Sequence, residues 1–200
     1  MTLTKRRSSS PIRFETERLI IRPHQPGDAD RFCAWDRDPE LTYLNDDDSD
    51  RFRPFTPEEA ALYLEDIGRQ DARRGIIHFA IEKKADGAFI GYYMIAEIER
   101  QHRRCKIGIT IGERAEWGQG YAREALIPVI DYCFDTLKLN RIVAEIYCLN
   151  ERSRRLFVGL GFRHEGTLRQ SVWKRGVPLD DCLYGLLAED WLLSRPSTRL

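Results

Sequence analysis

The sequence predicts a mixed α/β domain whose mostly antiparallel twisted sheet has about seven strands and is flanked by about four helices. Two observations indicate this class. Most β-rich segments follow one another through short turns, which favours antiparallel neighbours. One long amphipathic segment lies between two strands and implies a single βαβ crossover. The 200 residues, 42% of them hydrophobic, are enough to bury one continuous core.

The N-terminal half is predicted to hold a strand, two helices and a three-stranded meander. Arg18–Pro23 is typical of a strand that a proline closes. A short helix should start at about Asp28. A capping box over Thr56–Glu59, with proline at the first helical position, predicts a second helix that ends near Gly75. The strands of the meander are predicted at Ile76–Lys83, Ala88–Glu99 and Arg104–Ile111.

The C-terminal half is predicted to begin with the crossover helix. Apolar residues recur at helical spacing from Ala122 to Leu137, and Pro128 should bend this helix. A second helix, Asn150–Leu160, should stop at Gly161. Three strands complete the order β-α-α-β-β-β-α-β-α-β-β, at Arg141–Cys148, Phe162–Ser171 and Cys182–Leu187.

The composition and charge of the chain limit the kinds of partner that it is expected to bind and the compartment in which it is expected to lie. Lys plus Arg and Asp plus Glu both total 32, so no net field recruits nucleic acid or an acidic membrane. Residues 1–11 are basic and Ser-rich and are expected to form a flexible tail before a domain at 12–193, with a polar tail at 194–200. No apolar run approaches the roughly 20 residues of a membrane span. We therefore expect a soluble cytoplasmic protein.

The five cysteines predict neither a metal site nor a disulfide framework. They are odd in number and widely spaced, and no CxxC pair or Cys/His cluster has the spacing of a zinc site. Small buried thiols in a reducing cytosol are the expected state. The cysteines are Cys33, Cys105, Cys133, Cys148 and Cys182.

The run from Ile107 to Ala122 is a strand that passes through a glycine turn into a helix. Gly118 and Gly120 can adopt backbone angles barred to other residues, so successive N–H groups can point into one concavity at the positive end of the helix. That geometry binds a pyrophosphate. A Walker loop would need Lys-Ser/Thr after the second glycine, and a dinucleotide fingerprint would need a third glycine near Arg123. Neither is present, and a GxG pair alone also fits a simple tight turn.

Several motifs in fixed order make the chain, from about Arg13 to Trp191, resemble the GNAT superfamily. They are Trp-Gly-Gln-Gly-Tyr-Ala-Arg-Glu-Ala in the glycine turn, Asn150 with Ser153, and Leu-Gly-Phe followed by Glu165-Gly166. The chain is most similar to the branch that contains ribosomal-protein N-terminal acetyltransferases and spermidine acetyltransferases. The resemblance implies an acetyl-coenzyme A-dependent N-acetyltransferase that needs no metal. Its acceptor would be a primary amine: a protein N-terminus, a polyamine or another small amine.

The resemblance also implies where the cofactor binds. The fourth and fifth strands, Arg104–Ile111 and Arg141–Cys148, would splay apart, and the pantetheine arm would insert between them with the pyrophosphate on the glycine turn. The residue types of Asn150 and Ser153 also favour a helix cap, a role that can coexist with ligand contact. The implied cofactor-binding residues are Ile109, Thr110, Ile111, Trp117, Gly118, Gln119, Gly120, Tyr121, Ala122, Asn150 and Ser153.

The acid and base of the reaction are not given by the resemblance. An amine with a pKa near ~10.4 is mostly protonated at neutral pH, so a base or a water chain should help remove its proton. Relatives often carry glutamate where Lys106 stands and tyrosine where Phe157 stands, and the usual Arg or Gln of the phosphate loop is Ala115, with Arg114 as a nearby substitute. The candidate catalytic residues are the carboxylates Glu97, Glu99 and Glu165 and the proton donors Ser153 and Tyr184.

Two other features and one alternative function stay open. Leu44–Asp50 is a solvated loop or an acidic lip that attracts a cationic amine through Asp46, Asp47 and Asp48; a calcium loop fails because Arg51 takes the glycine position. The last hairpin offers Trp173, Asp180 and Asp181 as acceptor-site candidates. The alternative is a coenzyme A-binding sensor or scaffold without catalysis. The oligomeric state is open, with a homodimer as one option.

Overall fold

An eight-stranded open sheet organises this computed structural model, which describes residues 11–45, 53–69 and 75–195. The strands are β1 (Phe14–Glu15), β2 (Leu19–Arg22), β3 (Ile77–Lys83), β4 (Phe89–Glu99), β5 (Arg104–Ile111), β6 (Arg141–Tyr147), β7 (Arg163–Lys174) and β8 (Val177–Leu187). Their order in the sheet is β1-β2-β3-β4-β5-β6-β8-β7. Among the strands in the described residues, β5 and β6 alone pair in parallel, so the mixed, mostly antiparallel fold predicted from the sequence is confirmed.

Six α-helices flank the sheet within the described residues. They are α1 (Ala29–Asp36), α2 (Pro39–Leu44), α3 (Pro57–Ile67), α4 (Tyr121–Asp131), α5 (Glu151–Gly159) and α6 (Ala188–Ser194). The crossover helix α4 passes through Pro128 and continues as a π-helical turn, Tyr132–Thr136. The capping box of α3 is present, since the Thr56 hydroxyl accepts from the Glu59 N–H and the Glu59 carboxylate accepts from the Thr56 N–H.

Five details differ from the sequence prediction. Helix α3 ends at Ile67 rather than near Gly75. The residue after Ile67, Gly68, packs so closely that a Cβ on it would lie 2.6 Å from the His24 carbonyl oxygen. Strand β1 and helices α2 and α6 were not predicted, because segments this short carry little periodicity. The boundaries of the other elements shift by a few residues, most at the last hairpin, which extends from β7 to β8 over Arg163–Leu187.

The hydrophobic core lies on both faces of the sheet. One face packs on α4, where Leu126 and Ile130 are fully buried with Phe79 and Tyr93. The other face is covered near β3 and β4 by α1 and α2, through Trp35, Leu41, Ala80 and Phe89. Each large side chain buried in this way contributes roughly 1.5–3 kcal/mol.

The expectation of five free thiols was wrong for two of the cysteines. Cys33, Cys105 and Cys133 are free and buried, but Cys148 and Cys182 form a disulfide with a Cα–Cα distance of 5.2 Å. Cys148 follows the end of β6, and Cys182 lies on β8, the antiparallel neighbour of β6. Because the two residues are 34 positions apart in sequence, only the strand pairing shows that they meet.

The sheet opens between β5 and β6. These strands pair only at Arg104–Arg141, Cys105–Ile142 and Lys106–Val143. Beyond that point β5 stays with β4 as far as Ile111, and β6 stays with β8 as far as Tyr147. The two halves of the sheet therefore diverge, as predicted for the fourth and fifth strands, and leave a gap at the end of β5.

Candidate active site

A glycine loop joins β5 to α4 at this gap. A 3₁₀ turn, Arg114–Glu116, leads to Trp117, and then Gly118 and Gly120 take φ values of 77° and 82°. These left-handed angles suit glycine, and Gly120 directly precedes the first residue of α4. The N–H groups of the first helical turn have no partner within the helix, so this end of α4 can bind an anion.

The turn between β1 and β2 holds the first turn of α4 in place. The Glu124 carboxylate accepts hydrogen bonds from the Thr16 hydroxyl at 2.6 Å and from the Arg18 backbone and guanidinium at 2.8 and 2.6 Å. Burial opposes the charge of Glu124, but these bonds outweigh it and lower its pKa. Arg18 also donates to the Gln119 carbonyl at 3.1 Å and lies over the Tyr121 ring. The glycine loop is thus anchored before any ligand binds.

The Trp117 indole fixes the other side of the loop. It donates to the Ile111 carbonyl at 2.6 Å, and the Arg152 guanidinium stacks 3.9 Å from its ring centroid. Arg114 lies over the same ring at 5.4 Å from its centroid, and its guanidinium forms ion pairs with Asp38 at 2.5 Å and Glu40 at 2.6 Å, at the start of α2. Both arginines therefore flank the Trp117 ring, and Arg114 is the one engaged by carboxylates.

A cavity of about 280 Å³ lies against the glycine loop, and we call it the loop cleft. Of the predicted cofactor-binding residues, Gln119 and Tyr121 are not part of its wall. Those that line it are Ile109, Thr110, Ile111, Trp117, Gly118, Gly120, Ala122, Asn150 and Ser153. The remaining wall residues were not predicted from the sequence: Leu41, Leu44, Asn45, Glu116, Arg123, Arg152 and Leu156. The signal for Arg152 was its position in the first turn of a helix that follows a cap.

Asn150 and Ser153 also have the capping geometry that their residue types favour. The Asn150 side-chain oxygen accepts from the Ser153 N–H at 3.1 Å and caps α5. Both residues still face the loop cleft, so capping and cavity lining coexist.

A second cavity, of about 360 Å³, adjoins the loop cleft and lies over β3, β4 and β5; we call it the sheet cavity. Side chains from β3, β4, β5, β6 and β8 and from α1, α2, α3 and α5 form its wall. The two cavities meet at the residues that line both: Leu44, Asn45, Ile109, Thr110, Asn150 and Ser153. A molecule in each cavity could therefore touch the other at the gap between β5 and β6.

One cation and two carboxylates lie together on the wall of the sheet cavity. Lys106 Nζ is 2.9 Å from Glu97 and 2.8 Å from Glu145. Burial opposes the charge of Lys106, but the bonds to Glu145 and Glu97 outweigh it and raise its pKa. Lys106 therefore stays protonated and cannot act as a base. Glu97 lies in a β-bulge of β4 with a φ of 48°, which turns its side chain toward the cavity.

The remaining candidate catalytic residues lie outside the walls of both cavities. Glu99 pairs with Arg104 at 2.8 Å. Glu165 pairs with Arg141, whose hydrogen bonds lower the pKa of that carboxyl. The buried Tyr184 hydroxyl accepts a bond of 3.1 Å from Arg154 Nε. The structure thus places Ser153 at the junction of the cavities and Glu97 on the wall of the sheet cavity, and leaves these three apart from both.

The tip of the last hairpin holds the end of α2 in place. Lys174 is buried, and its ammonium donates to the carbonyls of Thr42, Tyr43 and Asn45 at the end of α2. It thereby fixes Asn45, whose side-chain oxygen accepts from the Thr110 hydroxyl at 3.2 Å. Of the other hairpin candidates, Asp181 lines the sheet cavity, whereas Trp173 and Asp180 do not. The acidic segment Asp46–Asp50 lies outside the described residues.

Two histidines form part of the sheet cavity and were not considered from the sequence. His24 follows β2, and His78 lies on β3. Burial lowers the pKa of His24 to about 3 and that of His78 to about 4, so both rings are neutral at pH 7. No motif marks either residue; only the fold shows that they face the same space.

Within residues 11–45, 53–69 and 75–195, no group of three or more His, Cys, Asp or Glu side chains could hold a metal ion. None of the helices in that part of the chain is long and apolar enough to cross a bilayer.

Comparisons with known proteins agree with the geometry. The family model "Acetyltransferase (GNAT) domain" matches residues 18–163. An uncharacterized N-acetyltransferase of Bacillus subtilis, YoaA, is 33% identical over 178 residues, which cover 87% of this chain and 96% of the relative. The [ribosomal protein uS5]-alanine N-acetyltransferase of Escherichia coli is 27% identical, over 94% and 98% of the two chains. The spermidine N-acetyltransferase of Vibrio cholerae, solved with CoA and spermine, has the same fold, with a TM-score of 0.74 at 21% identity over 88% and 99% of the chains.

Proposed function

Because this chain belongs to the GNAT acetyltransferase family and is an N-acetyltransferase, we propose that it moves the acetyl group of acetyl-coenzyme A directly to a primary amine. The observation that carries this proposal is the pair of cavities that meet at Thr110, Asn150 and Ser153. Two substrates bound there would touch at the gap in the sheet, so transfer needs no covalent enzyme intermediate.

The loop cleft has the groups that an acyl-coenzyme A needs. Backbone N–H groups at the start of α4, together with Arg123 and Arg152, would hold the pyrophosphate. The part of β5 that has left β6, around Ile109 to Ile111, would pair with the pantetheine arm and offer an N–H to the developing oxyanion. The thioester that carries the acetyl group would lie beside Ser153. This residue is our candidate donor of a proton to the leaving thiolate.

The sheet cavity would take the acceptor amine. Its wall holds three carboxylates, Glu97, Glu145 and Asp181, against the single ammonium of Lys106. This excess of negative charge favours a cation, and an alkyl amine is a cation at neutral pH. Relatives that act on a ribosomal-protein N-terminus or on spermidine support an amine acceptor of this kind. We expect the reaction to take place in the cytoplasm.

Two measurements test the proposal. Isothermal calorimetry should detect binding of CoA to the wild-type chain. Release of free thiol from acetyl-coenzyme A should then accelerate with at least one member of a panel: spermidine, spermine, free lysine, and peptides that begin with alanine or serine. Binding of CoA without transfer to any of them would favour the alternative, a sensor or scaffold, which Lys106 and Phe157 make plausible by replacing the usual base and acid.

A further inference from the structure

The end of the sheet cavity that lies toward β3 is lined by aromatic and apolar side chains, and we call it the aromatic end. Its floor is formed by Tyr92 and Met94 on β4, and its other walls come from Phe32 of α1 and from Tyr63 and Ile67 of α3. The centroid of the Phe32 ring lies 5.6 Å from that of Tyr92 and 5.9 Å from that of Tyr63. These three rings therefore form one continuous aromatic wall.

The ion-pair cluster of Lys106, Glu97 and Glu145 lies at a different level of the cavity. Lys106 is four residues before Thr110 on β5, and the β4 partner of Thr110 is Tyr92. At about 3.3 Å per residue along β5, the level of the ion pairs and that of the aromatic end are about 13 Å apart. The two levels therefore meet different parts of a bound molecule.

The aromatic end carries no charge among the described residues that line it. Its two imidazoles, His24 and His78, are neutral at pH 7, because burial lowers their pKa to about 3 and to about 4. The other side chains there are apolar or phenolic. An ammonium placed among them would lose its hydration without gaining an opposite charge. This end therefore favours an uncharged apolar group and disfavours the second ammonium of a polyamine.

Gly108 leaves the way open between the aromatic end and the gap in the sheet. It lies on the part of β5 that has left β6, and it pairs with Met94 on β4. A side chain at this position would point to the same face of the sheet as those of Lys106 and Thr110, because side chains alternate along a strand. Among the described residues, a Cβ at this position would meet only Met94 within 4 Å, with 3.5 Å to its methyl carbon. The strand can therefore hold a larger residue here, and the glycine leaves that space to the cavity.

We propose that the acceptor is an arylalkyl amine, whose nitrogen lies over Gly108 at the gap and whose ring packs on Met94 in the aromatic end. With about 4.8 Å between neighbouring strands, the ring and the nitrogen would be about one strand spacing apart, a distance that two methylene groups span. The ring loses its contact with water there, and edge-to-face contacts with Phe32 and Tyr92 add to that gain. The inference rests on the proposed function and names the substrate class of the same site.

The transfer itself is that of the proposed function. The nitrogen, after losing one proton to solvent, forms the C–N bond with the thioester carbonyl carbon. The C–S bond breaks with its electron pair on sulfur, and a second proton from the nitrogen ends on the thiolate. An arylalkyl ammonium and acetyl-coenzyme A thus give an N-arylalkyl acetamide, free CoA thiol and one proton.

The first test compares three acceptors on the wild-type chain through release of free thiol from acetyl-coenzyme A. They are phenethylamine, ethylamine, which is the same amine without the ring, and spermidine. We expect kcat/KM for phenethylamine to exceed that for ethylamine by about 50-fold, the effect of burying one ring. It should exceed that for spermidine by about tenfold, because spermidine would bring a second ammonium to an uncharged wall. A difference below threefold from either compound would overturn the arylalkyl class.

The second test fills the space at Gly108. Gly108→Val, a residue type that suits a strand, should lower the ratio of kcat/KM for phenethylamine to that for ethylamine by about tenfold. Gly166→Val is the matched control, since Gly166 is also in a strand, has nothing within 4 Å of a Cβ and lies outside both cavities. G166V should keep the wild-type ratio, and both variants should bind CoA as wild type does, because neither residue lines the loop cleft. An unchanged ratio in G108V would overturn the placement of the ring.

A third measurement needs no variant. The chain has two methionines, Met1 and Met94, so a ¹³C label on the methionine methyl groups gives a probe in the aromatic end. Phenethylamine added to the CoA complex should shift the Met94 methyl resonance more than ethylamine does, because its ring current acts on that methyl group. An unmoved resonance, or acetylation of an alanine peptide but of none of the three amines, would overturn this inference. A chain that binds no CoA or acetylates no amine of the wider panel would instead defeat the proposed function.

Discussion

The loop cleft and the sheet cavity adjoin each other but are built in different ways. Most of the loop cleft comes from one stretch of chain, Ile109–Arg123, and from the start of α5. Its central feature is backbone geometry set by Gly118 and Gly120. The sheet cavity is lined by side chains from nine helices and strands, and no stretch of sequence contains its chemistry. The backbone geometry of one continuous segment can therefore be predicted from the sequence, whereas a cavity formed by side chains from distant segments cannot.

The charges of the two cavities also differ. The wall of the loop cleft carries Arg123 and Arg152 against Glu116, which suits a phosphate. The wall of the sheet cavity has more carboxylates than ammonium groups and adds two neutral imidazoles, which suits a cationic amine. Substitutions should therefore act on one ligand and spare the other.

The first expected effect is a loss of stability between pH 7 and 5 that the two buried histidines of the sheet cavity confer. Burial lowers the pKa of His24 to about 3 and of His78 to about 4. Below about pH 6.5 the two imidazoles are therefore protonated in the unfolded chain but stay neutral in the folded chain. As the pH is lowered below about 6.5, the free energy of unfolding should fall by about 1.4 kcal/mol per pH unit for each imidazole, until the pH reaches the pKa of that imidazole in the folded chain. Urea unfolding between pH 7 and 5 should show a flatter profile for His78→Phe, while His102→Gln follows wild type. Parallel profiles for H78F and wild type would contradict the assignment.

The next effect tests the backbone geometry of the loop cleft with a matched pair of glycines. Gly118 and Gly176 have φ values of 77° and 75°, and a Cβ on either would meet nothing within 4 Å. Replacing each by alanine should cost similar stability, about 1 kcal/mol. Only Gly118→Ala should also weaken CoA binding, by about tenfold, because the strained loop loses its arrangement of N–H groups. If calorimetry gave G118A and G176A the same affinity for CoA, the backbone of the glycine loop would have no part in binding CoA.

A smaller effect is expected at the arginine that stacks on Trp117. Arg152→Ala should weaken CoA binding about fivefold at low salt and less at 0.5 M salt, because a partly exposed charge is screened. Arg155→Ala, on the same helix, is the control, since Arg155 pairs with Glu151 and lies outside both cavities. The KM for the amine should stay the same in both variants. If R152A and R155A bound CoA equally, Arg152 would have no part in the loop cleft.

The smallest effect should appear at the ion-pair cluster of the sheet cavity. Lys106→Met removes the cation between Glu97 and Glu145, which makes the wall more negative. The KM for spermidine should fall about twofold to threefold at low salt, with CoA affinity unchanged. Arg104→Met is the control, because Arg104 is on the same strand but pairs with Glu99 outside the cavities. A KM that does not respond to salt in K106M would show that the charge of this wall does not attract the acceptor.

The fold could be predicted well where the sequence has strong local signals. Strand β5 was predicted at its observed bounds, and the capping box at Thr56 and the cap at Asn150 are present. Helices α2 and α6 were missed because their six and seven residues give too short a pattern, although Asp38-Pro39 is a start signal for α2. The end of α3 was placed too late, because it depends on a contact with the backbone of His24.

For this protein the sequence alone determined the conformation of the glycine loop, since Gly118, Gly120 and the start of α4 are consecutive and their conformations follow from residue type. Only the tertiary structure decided what surrounds it. It pairs Cys148 with Cys182, turns Arg114 toward α2 and brings His24 and His78 to one cavity. The physical reason is that strand pairing and packing join segments far apart in the chain, and such contacts leave no periodic or local trace in the sequence.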